Sequence, residues 1–155
     1  MEDGRRRSRN YAIAADREFC NGLYYKNMPE EPSKAKILIV EDDTFMVDLL
    51  SKELASFGYQ VEIAKTGLEG VEKFFNFKPK LVLLDILLPD QNGFEVLRQI
   101  RRHPEGREVK VLILSNLDSQ PDLEESKRLG AAGYLVKANF SLSDIVAKIR
   151  GVIES

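Results

Sequence analysis

Five polar residues could do chemistry together: Glu41, Asp42, Asp85, Ser115 and Lys137. The acidic pair follows Ile37-Leu38-Ile39-Val40, and Asp85 follows Leu81-Val82-Leu83-Leu84. Ser115 ends the run from Val109 to Leu114, and Lys137 ends Gly133-Tyr134-Leu135-Val136. Short apolar runs of this kind read as strands buried on both faces. In an open parallel sheet, ligands bind outside the carboxyl ends of the strands, so these side chains are expected to converge. Crowded carboxylates repel: a like-charge pair in contact costs about 4 kcal/mol at an effective dielectric of about 20. A divalent cation relieves that repulsion, and oxygen-only ligands with room for water point to Mg²⁺. Lys137 adds a fixed positive charge and Ser115 a hydroxyl donor. Such a set is equipped to hold a phosphoryl group, with Asp85 as the nucleophile.

The elements that must position these residues follow from the pattern between them. Thr44 to Phe57 reads as a helix, with Met46, Leu50, Leu54 and Phe57 on one face and Gly58 ending it. Asp43 suits its N-cap better than a metal. Tyr59, Val61 and Ile63 alternate with polar residues, as in a half-exposed edge strand. Thr66 to Phe75 is the second helix, with Thr66 and Glu69 spaced as a capping box and Leu68, Val71 and Phe75 facing inward. A third helix runs from Asn92 to Arg102, burying Phe94, Leu97 and Ile100, and His103-Pro104-Glu105-Gly106 breaks it. A fourth, from Gln120 to Leu129, is capped by Ser119 with Asp122 three residues on, and its apolar stripe is thin. Ser141 caps the fifth, with Asp144 at its third position and Leu142, Ile145, Ile149 and Val152 buried.

Strands and helices alternate five times. That order specifies an α/β fold, a doubly wound parallel sheet with helices on both faces. The flavodoxin-like strand order 2-1-3-4-5 puts the apolar strands at the centre and the alternating one at an edge.

Residues 1–34 differ from the rest. Arg5, Arg6, Arg7 and Arg9 cluster, a short helix fits Ala12 to Asn21, and Pro29 to Lys34 reads as a linker. This stretch is expected to be a poorly ordered extension, with the folded domain over 35–155. Across 155 residues the formal charge is −2, which gives no reason to expect nucleic acid. One cysteine, Cys20, excludes an internal disulfide and fits a reducing, cytoplasmic setting. No run is long enough to span a membrane, and no signal-peptide core opens the chain.

The ordered set Glu41-Asp42, Asp85, Ser115 and Lys137 resembles the receiver domain of two-component response regulators. Leu84-Asp85-Ile86-Leu87-Leu88-Pro89 and Gly130-Ala131-Ala132-Gly133-Tyr134-Leu135-Val136-Lys137 are similar to its two best-known signatures. The resemblance covers Lys36 to Ile153. It implies that Asp85 accepts phosphate from a histidine kinase or a histidine phosphotransfer protein. It implies Mg²⁺ held directly by Asp42, Asp85 and the backbone carbonyl of Leu87, with Glu41 acting through water. It implies a switch pair: Ser115 moves to the phosphoryl group and Tyr134 rotates inward behind it. The side chains at Leu87 and Leu117 would flank the path of the water that removes the phosphate. Signalling would run through protein contact, with dimerisation through the fourth helix, last strand and fifth helix as an option when phosphorylated.

The sequence departs from the family at Ala138, where proline usually follows the lysine, often after a cis peptide. Without proline a cis bond costs about 3 kcal/mol, which leaves the path of that loop open. Asn116 stands where the family prefers a smaller residue. Two other functions compete. One is a phosphatase of the haloacid-dehalogenase type, which needs a second acid where this chain has Leu87. The other is a degenerate receiver that binds partners without being phosphorylated, against which the intact set argues. The receiver reading makes the chain a switch and not a turnover enzyme.

Overall fold

The computed structural model describes residues 35–155. The arginine cluster, the expected short helix and the linker lie outside the described residues. Strands β1 (Lys36–Val40), β2 (Gln60–Ala64), β3 (Leu81–Leu84), β4 (Lys110–Ser115) and β5 (Gly133–Val136) alternate with five helices. These are α1 (Thr44–Ser56), α2 (Gly67–Phe77), α3 (Gly93–Arg102), α4 (Gln120–Arg128) and α5 (Leu142–Glu154). All strand pairs are parallel, in the order β2-β1-β3-β4-β5. The flavodoxin-like arrangement read from the sequence is therefore the observed one.

Successive strand residues point to opposite faces of the sheet, so each apolar run feeds two cores. Ile37, Ile39, Leu81, Leu83, Leu112, Leu114 and Leu135 pack with Val47, Leu50 and Leu54 of α1 and Ile145, Val146, Ile149 and Ile153 of α5. Leu38, Val40, Val82, Leu84, Val111 and Ile113 pack with Phe74 of α2 and Phe94, Val96, Leu97 and Ile100 of α3. Only α4 sends no apolar residue fully inside; its one buried residue is Ser126. β2 is the edge strand next to β1, and its middle residues are half-buried, as its alternating sequence requires.

Two helix faces differ from the sequence reading. Leu68 is 62% exposed instead of facing inward. The inner face of α2 is Gly67, Gly70 and Phe74, which share the spacing of one helical stripe. A Cβ on Gly70 would come within 2.9 Å of Val40, so the absence of a side chain lets α2 approach β1. Val71 and Phe75 pack half-buried against the same core, as the sequence reading expects, so in α2 Leu68 alone departs from it. A hydrophobic period cannot register glycines, which is why Gly67 and Gly70 do not show in the pattern. In α1, Val47 is buried and Phe57, just past the last turn, is 37% exposed. The expected α2 capping box is also half made. Thr66 Oγ1 accepts from the Glu69 amide, but the Glu69 carboxylate accepts from Lys65, not Thr66.

Candidate functional site

The carboxyl ends of β1, β3 and β5 carry the charged residues. Glu41 follows β1, and its amide continues the sheet by donating to Ala64 at 2.9 Å. Asp85 follows β3, its amide donating to Val40 at 3.0 Å. Each side chain is thus aimed by a backbone that is still part of the sheet. Glu41 is 3% exposed and Asp85 5%, whereas the adjacent Asp42 is exposed. One oxygen from each of Glu41, Asp42 and Asp85 falls within 4.8 Å of the others.

Lys137 leaves the end of β5 and reaches across β4 to both buried acids. Its Nζ lies 2.6 Å from Glu41 Oε2 and 3.1 Å from Asp85 Oδ2. The second oxygen of each acid is satisfied locally. Glu41 Oε1 accepts from the Asp43 amide at 3.0 Å, and Asp85 Oδ1 from the Leu87 amide at 3.2 Å. The two buried carboxylates therefore share one design: one oxygen on its own turn, one on the lysine. Burial would lower the pKa of the Lys137 ammonium, but the Glu41 hydrogen bond and the charges of Asp85 and Glu41 hold it above the ordinary lysine value. Burial raises Glu41 from 4.5 to about 7, with the Asp85 charge adding, against the hydrogen bonds from Lys137 and Asp43.

Asp43 stands apart from this cluster. Its Oδ1 accepts from Phe45 at 3.0 Å and Met46 at 3.3 Å, which makes it the N-cap of α1. Ser115, the last residue of β4, is fully buried, and its Oγ accepts from the Leu117 amide at 3.3 Å. Tyr134, on the neighbouring strand, donates its hydroxyl to the Leu117 carbonyl at 2.7 Å. Burial raises the Tyr134 pKa, helped by Asp122, Asp85 and Asp118 and opposed by the nearby Ser115 hydroxyl. Both side chains therefore meet on the loop that enters α4. Leu87 is 55% exposed and forms an isolated antiparallel bridge with Asn92. The Lys137–Ala138 peptide is trans, since the described residues contain no cis bond, and Lys137–Asn139 turn as a short 3-10 helix.

Fully ionised, three carboxylates and one ammonium leave a formal charge of −2. Hard oxygen ligands, one of them solvent-exposed, fit a small divalent cation that keeps part of its water. The residues present therefore suit Mg²⁺.

A parallel sheet of this order with an acidic trio and a lysine at its rim defines a class, and the comparisons agree. Residues 37–150 match the family model of the response regulator receiver domain, and the chain belongs to that family. The family is a signalling module and not a turnover enzyme. Among curated relatives, the chain is 38% identical over 118 residues to the probable transcriptional regulatory protein SilR of Salmonella typhimurium. That alignment covers 76% of this chain and 50% of SilR. It is 35% identical over 121 residues to the transcriptional regulatory protein TrcR of Mycobacterium tuberculosis, covering 78% of this chain and 46% of that one. The chain thus spans about half the length of these relatives. Among solved structures, it is similar to a CheY-like receiver domain protein from Methanospirillum hungatei, with a TM-score of 0.72 and 34% identity over 79% of this chain and 95% of that one. The non-phosphorylated HemR receiver domain of Leptospira biflexa gives 0.74 and 31%, over 79% and 96%. Both of these curated relatives are named as transcriptional regulatory proteins. Another, RpaA of Synechocystis, is named as DNA-binding, a property of that protein. No helix among the described residues is long and apolar enough to cross a membrane.

One residue of the site region escaped the sequence reading. Asp90, in the loop after Asp85, takes the Gly67 and Leu68 amides at 2.7 and 2.9 Å. The partners lie more than twenty residues away, so no local motif could have revealed it.

Proposed function

We propose that this chain is the phosphoacceptor switch of a two-component phosphorelay, with Asp85 as the acceptor. The observation that carries the reading is the ion pair of a 95%-buried Asp85 with Lys137, beside two further acidic oxygens. The donor is a phosphohistidine on a histidine kinase or a histidine phosphotransfer protein. One Asp85 carboxylate oxygen attacks phosphorus, an O–P bond forms, and the P–N bond breaks with its electron pair going to the imidazole nitrogen. Lys137, already within 3.1 Å of Asp85, stays protonated and takes up charge on the phosphoryl oxygens. Glu41, Asp42, Asp85 and the Leu87 carbonyl would hold Mg²⁺, which when bound neutralises the acids and the incoming phosphoryl charge. The Ser115 hydroxyl supplies a further donor, and its contact with Tyr134 and Leu117 carries the change to the loop that enters α4. Output runs through protein contact in the cytoplasm, with the α4, β5 and α5 surface as a dimer face in the phosphorylated state. Nucleic acid is not a direct partner of the receiver itself. Residues 1–34 are an extension preceding the domain at 35–155.

Incubation with acetyl phosphate and Mg²⁺, followed by intact-mass measurement, should add one phosphoryl group to the wild type. Asp85→Asn should keep the fold and take up none. Equal labelling of the variant would overturn the assignment.

A further inference from the structure

We propose that Asp90 is a positioning residue of the phosphoacceptor loop, which it fastens to the start of α2. The inference rests on the Mg²⁺ reading above. Ile86 and Leu88 anchor the start of this loop by apolar packing, but the hydrogen bonds of residues 86–92 otherwise stay within the loop and its own stems, β3 and α3. Leu88 donates to Ile86 at 3.2 Å, Gly93 donates to Ile86 at 2.8 Å, Leu87 bridges Asn92, and Gln91 accepts from Gln99 of α3. Among the described residues, the hydrogen bonds from this loop to any element other than its stems β3 and α3 are the two at Asp90. Both carboxylate oxygens are used, one on Gly67 and one on Leu68.

Those two amides belong to the first turn of a helix, where no intrahelical acceptor exists for them. Thr66 caps the same turn through the Glu69 amide, so α2 has its own cap and Asp90 is additional. The two caps differ in what they connect. Thr66 joins α2 to itself, whereas Asp90 joins α2 to the loop that carries Asp85 and Leu87. The contact is close: a Cβ on Gly67 would come within 2.5 Å of Gln91. The two amides also hold the Asp90 pKa below the ordinary aspartate value.

Leu87 and Asn92 face each other across the loop, and Asp90 sits at the tip between them. Fixing the tip fixes that bridge. The Leu87 amide in turn holds Asp85 Oδ1 at 3.2 Å, so the tie at Asp90 reaches the acceptor carboxylate through a short chain of bonds. Supporting groups that orient ligands in this way are worth tenfold or more in metal affinity.

The test compares two caps of one helix. Mg²⁺ dissociation constants are measured by calorimetry on the full chain for wild type, Asp90→Ala, Asp90→Asn and Thr66→Ala, with melting temperatures alongside. Asp90→Ala should weaken Mg²⁺ about tenfold. Asp90→Asn keeps an acceptor for one amide and should recover part of that loss. Thr66→Ala should lower the melting temperature at least as much as Asp90→Ala and leave Mg²⁺ affinity within about twofold of wild type. The Mg²⁺-induced shift of the Leu87 amide resonance should shrink in Asp90→Ala alone. Unchanged affinity in Asp90→Ala, or an equal loss in Thr66→Ala, would overturn the positioning role while the metal site stands. Failure of the wild type to bind Mg²⁺ would overturn the metal reading itself, and this inference with it.

Discussion

Helices α4 and α5 begin alike and end up held by different forces. Ser119 and Ser141 cap them, each with an aspartate three residues on. In α5 the exchange is reciprocal: Ser141 Oγ accepts from Asp144 and the Ser141 amide donates to the Asp144 carboxylate, both at 3.2 Å. The larger difference lies in the body. α5 buries Ile145, Val146, Ile149 and Ile153 against the sheet, whereas α4 buries only Ser126. α4 is held instead by polar ties from α3. Arg98 meets Glu125 at 2.5 Å, and Arg101 donates to the Leu129 and Gly130 carbonyls at 3.1 Å. Apolar burial is lost only when a core opens, but an ion pair can be exchanged for another at little cost. A helix held in the second way can shift while the domain stays folded. The loop where Ser115 and Tyr134 meet leads directly into that helix.

The largest expected effect is the most direct attack on this contrast. Ile149→Ala should cost about 2–5 kcal/mol of stability in urea denaturation, through lost burial and a cavity. Leu123→Ala, on half-buried α4, should cost less than about 1 kcal/mol, since little apolar area leaves water. Equal losses would erase the distinction.

A change at the site that touches neither helix supplies the baseline. Burial keeps the folded-state pKa of Glu41 near 7, above its unfolded value of 4.5. The folded form thus holds a proton that the unfolded chain gives up. This contribution to stability is complete below about pH 4.5 and is lost as pH rises through about 7. In metal-free buffer, stability should therefore fall across that window by an amount on the order of 2 kcal/mol. Glu41→Gln should flatten the profile. A wild-type profile that rises over the same window would contradict a buried, protonated Glu41.

The loop entering α4 can also be probed through its chemistry. Leu117 lies there, half-buried, and Leu87, two residues after Asp85, is exposed. If the two leucines flank the water that attacks the acyl phosphate, neither can orient it by a hydrogen bond. The phosphorylated state should then persist, and Leu87→Asn with Leu117→Glu should speed its decay about tenfold, or about 1.4 kcal/mol in the barrier. Decay is followed after donor removal with Mg²⁺ present. A double variant no faster than wild type would show that these side chains do not set the lifetime.

The smallest energy is expected where the contrast is most specific. Arg98→Ala removes the ion pairs of a half-exposed arginine with Glu95 and Glu125. Glu125 keeps Arg128 as a partner, so the change should cost at most about 1 kcal/mol globally. Amide exchange in 120–128 should nevertheless quicken, while 142–154 stays as it was. Phosphorylation should reproduce that pattern in residues 115–140. Uniform quickening of both helices would mean that α4 is no more loosely held than α5.

Much of this molecule was written locally. Apolar runs of strand length, broken by Asp43, Thr66, Ser119 and Ser141 at helix starts, determined the element order, and that order admits few topologies. The polar residue ending each run was legible too, because a buried strand cannot keep a charge until it leaves the sheet. Glu41, Asp42, Asp85 and Lys137 do meet at one rim. What the order could not contain were relations between distant segments. The adjacent Glu41 and Asp42 look equivalent as residues, yet one is buried and the other exposed, and only the pairing of β1 with β2 and β3 decides which. The glycine face of α2 and the Asp90 tie belong to the same group. Periodicity records which side of an element is apolar, whereas the distance between elements and the partner of a loop side chain arise when the sheet closes its register. That is why the polar groups at the strand ends could be named from the chain alone, and their supports could be seen only in the folded form.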